Sequence, residues 1–192
     1  MAKLDVREKL LTAGLEALHK QGFNATGVQD ITDAAKVPKG SFYNHFESKE
    51  ALGVEVVLRW SEKAAERRKV LLDDTGKPLA RLRTYFQSLN DLGTATSFRR
   101  GCLMGNFSAE LSAQSPAIRM ALEEAFDGWT GDVAQVIAEA QKDGKVSRDV
   151  SAGELAGFLI NAWEGAVLRS RVEKSAASLD IFMAITFNKI LV

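Results

Sequence analysis

The chain has one cysteine, two histidines and three prolines in 192 residues. A lone Cys102 cannot build an internal disulfide framework and fits a reducing compartment. No apolar run approaches the roughly 20 residues that a membrane span needs. The opening "MAKLDVREKLL" mixes acids with bases and has no apolar core of a signal peptide, so the expected location is the cytoplasm. There is no GxSxG, no P-loop, no dinucleotide-binding glycine pattern and no metal-ligand cluster. No catalytic residue, metal or cofactor is therefore expected. An excess of charge of one sign is missing too: 25 Lys and Arg balance 25 Asp and Glu. That argues against nucleic-acid binding driven by bulk basicity, but not against a compact reader with a few cations gathered on one face.

What is present is helical periodicity, almost throughout. Leu4, Leu11, Leu15 and Leu18 share one face of a first helix, which Gly22 stops and Phe23 follows with an apolar contact. A short second helix fits Val28 to Ala35, and a shorter third lies in "VPKGSFYNHFESKEAL", Val37 to Leu52. Ser48 suits the N-cap of a fourth helix reaching about Leu72, with Glu50 in its first turn. Pro78 and the Ser115–Pro116 pair mark two further helix starts, and a helix between them begins at about Arg100. "SAGE", Ser151 to Glu154, has capping-box spacing, and a last helix carries Ile181, Met183, Ile185, Phe187 and Ile190. The expected fold is all-α, with about nine helices: three short ones tightly connected, then longer ones.

Two short helices joined by a tight turn meet the requirement of a helix-turn-helix, in which the first braces and the second presents its N-terminal residues to the major groove. "VQDITDAA" would brace, "KVP" would turn and "KGSFYNHF" would read. Lys39 and Lys49 suit phosphates; Ser41, Tyr43, Asn44 and His45 suit phosphates or base edges, and Gly40 permits close backbone approach. Phe42 and Phe46, four apart, would face inward as anchors. His19, at the end of the first helix, reads as a surface residue favoured by the helix C-terminus.

The run "GFNATGVQDITDAAKVPKGSFYNHFESKEAL" resembles the DNA-binding domain of TetR-type transcriptional repressors, with the resemblance covering about Val6 to Leu58. It implies a DNA-binding domain over residues 1–50 and a ligand-binding and dimerisation domain over 51–192. It implies base or phosphate contact for Gln29, base reading for Lys39 and Ser41, and closeness to the duplex for Gly40. Tyr43 and His45 match positions that grip the phosphate backbone, Lys49 caps that grip, and Asn44 matches a position expected to vary with the operator. Two departures stand out. Lys36 replaces the usual turn glycine, so a left-handed residue there costs about 1 kcal/mol; Pro38 replaces the usual hydroxyl N-cap.

The resemblance also implies a small-molecule inducer bound among the middle helices, with the fourth helix as lever, and a homodimer closed by the last two helices. Candidate ligand-binding residues are Trp60, Phe86, Met104, Phe107, Trp129 and Trp163, with Asn106, Asn161 and Glu164 as polar contacts; each aromatic could equally be core. Asn161 and Glu164 flank Trp163 amid an apolar face, where buried polar groups need partners. "RGCLMGNFSAELS" is similar to a subgroup that responds to reactive or unsaturated small molecules. Cys102, beside Arg99 and Arg100 near a helix start, is either a reactive sensor thiol or an inert buried one. The expected function is a ligand-responsive repressor on a palindromic operator, with no membrane partner. The alternative is an all-helical small-molecule binding protein that no longer binds DNA.

Overall fold

A computed structural model describes residues 5–73 and 75–192. Its helices are α1 (Val6–Gln21), α2 (Val28–Ala35), α3 (Gly40–Tyr43), α4 (Lys49–Leu72), α5 (Pro78–Ala95), α6 (Leu103–Leu111), α7 (Pro116–Lys142), α8 (Ala152–Glu173) and α9 (Ala177–Ile185). Among the described residues there is no strand. The fold is all-α, as the periodicity predicts; Leu4, placed on the first helix face, lies outside the described residues.

Most helix boundaries follow the local chemistry. Ser48 Oγ accepts the Ala51 amide at 3.0 Å and opens α4. Ser115 Oγ accepts from Ile118 N–H at 3.1 Å, with Pro116 as the first residue of α7. Ser151 and Glu154 close a reciprocal capping box: Glu154 N–H donates to Ser151 Oγ at 3.2 Å and Ser151 N–H to Glu154 at 3.1 Å. The Ser151 hydroxyl, donating to the Glu154 carboxylate at 2.6 Å, and then the Ser151 N–H hold that carboxyl below its usual pKa. One start differs from expectation. α6 begins at Leu103 with Cys102 as N-cap, because the backbone before it turns left-handed at Ser97, Phe98 and Gly101. The last helix also changes character, ending in a π-helical turn over Thr186–Ile190.

The helices group into two compact units that do not follow sequence order. One takes the chain up to Glu62 together with Cys102–Ala125; the other takes Lys63–Gly101 and Phe126–Val192. In the first, Leu10, Leu18, Ile31, Phe42, Leu52 and Phe107 are fully buried. Gly14 belongs to this core because a Cβ there would sit 2.8 Å from the Leu52 side chain. In the second, Leu82, Phe86, Val133, Ile137 and Leu159 are fully buried. Its polar interior includes Arg81, which donates to Leu71 O at 2.6 Å and pairs with Glu139. Arg68 likewise meets Asp132 at 2.6 Å.

Candidate DNA-reading head and sensing residues

The head is assembled from a turn that glycine would ordinarily make. Lys36 adopts φ 56°, ψ 46°, and Val37 N–H reaches back to Thr32 O at 3.0 Å, closing α2. α3 follows without a side-chain cap, but its N-cap is Lys39 and not the expected position 38; Ser41 N–H bonds Pro38 O at 2.9 Å. Phe42 and Phe46 hold this short helix. They are 0% and 3% exposed, with ring centroids 5.6 Å apart, and the Arg7 guanidinium sits 5.3 Å from the Phe46 centroid. With the aromatics inward, Lys39, Gly40, Tyr43 and Asn44 are exposed and Ser41 and His45 half-exposed on one short stretch. A Cβ added at Gly40 would meet nothing within 4 Å. Gln29 is exposed on α2 and donates to Asp33 at 2.7 Å.

Lys49 is placed differently from the other seven. Its ammonium turns back to the α1–α2 turn, donating to Phe23 O and Thr26 O at 2.9 Å each, 4.3 Å from the Phe23 ring centroid. Burial pulls its pKa down, against the pull of the nearby Glu110 carboxylate.

The candidate ligand residues fall into separate clusters. In the first unit Phe107 is fully buried edge-on to Phe23, with centroids 5.8 Å apart, and Met104 is 3% exposed. Asn106 is half-buried one turn after Cys102. Trp60 packs edge-on against His19 at 4.7 Å, so His19 is a packing partner and not a bare surface residue. Cys102 is 8% exposed.

In the second unit Phe86 meets Phe182 edge-on at 5.1 Å. Trp129 and Trp163 come together as a T-shaped pair, centroids 5.5 Å apart, with Phe126 stacked on the far side of Trp129 at 6.3 Å. The Trp163 indole N–H donates to buried Asn90 at 2.9 Å; the buried Trp129 indole N–H has no acceptor among the described residues. Glu164 is half-buried nearby in sequence. Asn161 is exposed, so the burial expected of it does not occur. The reason is that α8 carries apolar residues on two faces. The second face is an outward row of Phe158, Leu168 and Val172, 53%, 63% and 82% exposed, and Asn161 lies within it.

Sequence reasoning passed over Asn90, Glu110 and a surface groove of about 580 Å³ lined by Thr94, Ser97, Phe98, Arg99 and Lys174. Asn90 carried a weak signal as a polar residue on the apolar side of α5; the other two depend on contacts between distant residues.

A bracing helix, a left-handed turn and an aromatic-anchored reading helix define a helix-turn-helix DNA-binding regulator, and the comparisons agree. Residues 10–56 match the model of bacterial regulatory proteins of the tetR family, and residues 78–186 match the tetracyclin repressor-like C-terminal domain. The chain belongs to the TetR family of transcriptional regulators. It is 40% identical to the HTH-type transcriptional repressor DhaR of Mycobacterium sp. strain GP1, over 100% of this chain and 95% of that one. It is 30% identical to the transcriptional repressor NemR of Escherichia coli strain K12, covering 94% and 91% of the two chains. The crystal structure of regulatory protein TetR from Rhodobacter sphaeroides superposes with a TM-score of 0.89 at 36% identity, covering 96% and 98%. That of E. coli NemR in its reduced form gives 0.86 at 28% identity, covering 98% of each chain.

Proposed function

We propose that the chain is a non-enzymatic repressor that binds a palindromic operator as a homodimer in the cytoplasm and leaves it when a small molecule binds. Residues 1–50 read the operator; residues 51–192 sense and dimerise. The observation that carries the reading is the polar surface of α3 and its flanks, standing over two buried aromatics. Lys39, Gly40, Ser41, Tyr43, Asn44 and His45 supply cations, hydroxyls and amides suited to phosphates and base edges. Gly40 has open space around it, which leaves the α3 backbone accessible to close approach from outside. Gln29 adds a contact from α2.

Dimerisation is supported by the outward row of α8 and by Ile181 and Ile185 of α9, 64% and 47% exposed. Gly157 and Gly165 leave open space on the same helix, so a second copy packs closely there and closes a four-helix bundle about a two-fold axis. The ligand site is supported by Trp129, whose shielded N–H lacks an acceptor that a bound carbonyl or carboxylate would supply. Cys102 gives an unsaturated carbonyl compound a second mode of action. Its Sγ adds to the β-carbon, the C=C π bond breaks and the thiol proton ends on the α-carbon, with no leaving group. The related repressor NemR has a structure described as its reduced form, so redox state distinguishes forms of that relative.

The decisive experiment is selection of bound duplexes from a random pool, followed by affinity measurements across a salt series. A two-fold symmetric site is expected, with affinity falling as salt rises by a log–log slope of about −0.9 per phosphate neutralised. Lys39→Ala should flatten that slope by about 1. A chain that selects no duplex overturns the reading, and leaves a small-molecule carrier in its place.

A further inference from the structure

α6 ends against the DNA-reading head. Glu110, its penultimate residue, accepts a hydrogen bond from the Asn24 backbone N–H at 2.9 Å. Its other carboxylate oxygen lies over Gly22, in the place a side chain would occupy: a Cβ there would be 2.6 Å from it. Gly22 has φ +90°, a backbone conformation that favours glycine, while a Cβ there would have to displace the end of the Glu110 side chain. Lys49 grips the same turn from the start of α4 by its bonds to Phe23 O and Thr26 O. The turn is closed internally by Thr26 Oγ1 donating to Gly22 O at 2.7 Å. One helical turn before Glu110, Phe107 meets Phe23 edge-on. A carboxylate, an ammonium and an aromatic contact thus converge on residues 22–26, immediately ahead of α2.

We infer that Glu110 is a positioning residue for operator recognition, a latch that ties α6 to the α1–α2 turn and so sets where α2 and α3 stand. The inference rests on the DNA-reading role proposed above. α6 is short and stiff: from its N-cap at Cys102 to Glu110 it rises about 12 Å, at 1.5 Å per residue. A shift of about 1 Å along its axis takes the Asn24–Glu110 bond beyond hydrogen-bond range. Occupancy of the operator and the state of the α6 N-terminus are then linked, and linkage is reciprocal: whatever at Cys102 changes DNA affinity is itself changed by DNA.

The single cysteine makes that reciprocity measurable without knowledge of an inducer. The probe is the Kd for the duplex selected from the random pool, measured before and after complete alkylation of Cys102 by iodoacetamide and expressed as a ratio. In the unsubstituted chain, alkylation should change the Kd by about fivefold or more, the lower end of ordinary coupling. Glu110→Gln keeps an acceptor for Asn24 N–H and should keep most of that ratio. Glu110→Ala should bring it close to one, while thermal melts show that the variant is folded. A residue that merely stabilised the fold would lower the melting temperature and leave the ratio alone. A Glu110→Ala chain that binds duplex and retains the full ratio overturns the latch by itself. If the unsubstituted chain binds duplex but alkylation leaves its Kd unchanged, the latch fails too. A chain that binds no duplex overturns the DNA-reading role and the latch with it.

Discussion

The polar groups of the two units are finished to different degrees. In the first unit, buried Thr26 bonds to Gly22 O, Ser115 is shared between Glu50 and the α7 backbone, and Lys49 has two carbonyls. In the second, the shielded Trp129 Nε1 and Arg81 Nε have no acceptor among the described residues, although Arg81 is otherwise well held. An unsatisfied shielded donor costs about 1–3 kcal/mol. A surface that must match a rigid duplex gains from having nothing left to rearrange. On the ligand site proposed at Trp129, the second unit gains from holding a donor in reserve.

The sharpest way to break this comparison is to attack the finished side. Phe42→Ala removes a fully buried ring beneath α3 and should cost about 3–5 kcal/mol, read by denaturant melts. DNA binding should fail well before the second unit unfolds; simultaneous loss would show that the two units melt as one. Next comes a matched pair on the unfinished side. Trp163→Phe and Trp129→Phe shrink the same ring, but only the first strands the buried Asn90 carbonyl. Trp163→Phe should be the more destabilising by about 1–3 kcal/mol. Equal melting points would mean that the Trp129 N–H is satisfied after all, and the difference between the units would shrink.

Two smaller effects sharpen the comparison further. Ser151→Ala removes the capping box of α8 and should cost about 1 kcal/mol in an equilibrium melt. Lys36→Gly should be neutral or stabilise by up to about 1 kcal/mol, because the left-handed position then carries no side chain. A clear loss there would show that the Lys36 side chain contributes more than its backbone costs.

Local chemistry was legible in the sequence, and long-range chemistry was not. Ser48, Pro78, Ser115–Pro116 and the Ser151/Glu154 pair announce their helices because a cap acts within one turn of chain. Lys36 and Phe42/Phe46 were readable for the same reason, as spacing alone fixes a turn and a face. Asn161 was misread as buried because the apolar residues of α8 occupy two faces, and periodicity does not say which one the molecule keeps inside. Glu110 gave no signal, since the partner that defines it lies 86 residues earlier. The inward turn of Lys49 was hidden likewise; a lysine beside a reading helix looks like a phosphate ligand until its carbonyl partners are located.

α3 is four residues long, and of these only Phe42 is buried; Phe46 adds the second anchor just beyond its end. The outward positions Lys39, Ser41 and Asn44 are therefore almost uncoupled from the core, whereas the Tyr43 ring lies edge-on to Phe42 with centroids 5.3 Å apart. Such a surface can be rewritten like the bit of a key while the bow and shaft stay as they are. On the DNA-reading role proposed above, exchanging the side chains of Lys39, Ser41 and Asn44 should redirect the protein to a different operator, with melting behaviour nearly unchanged.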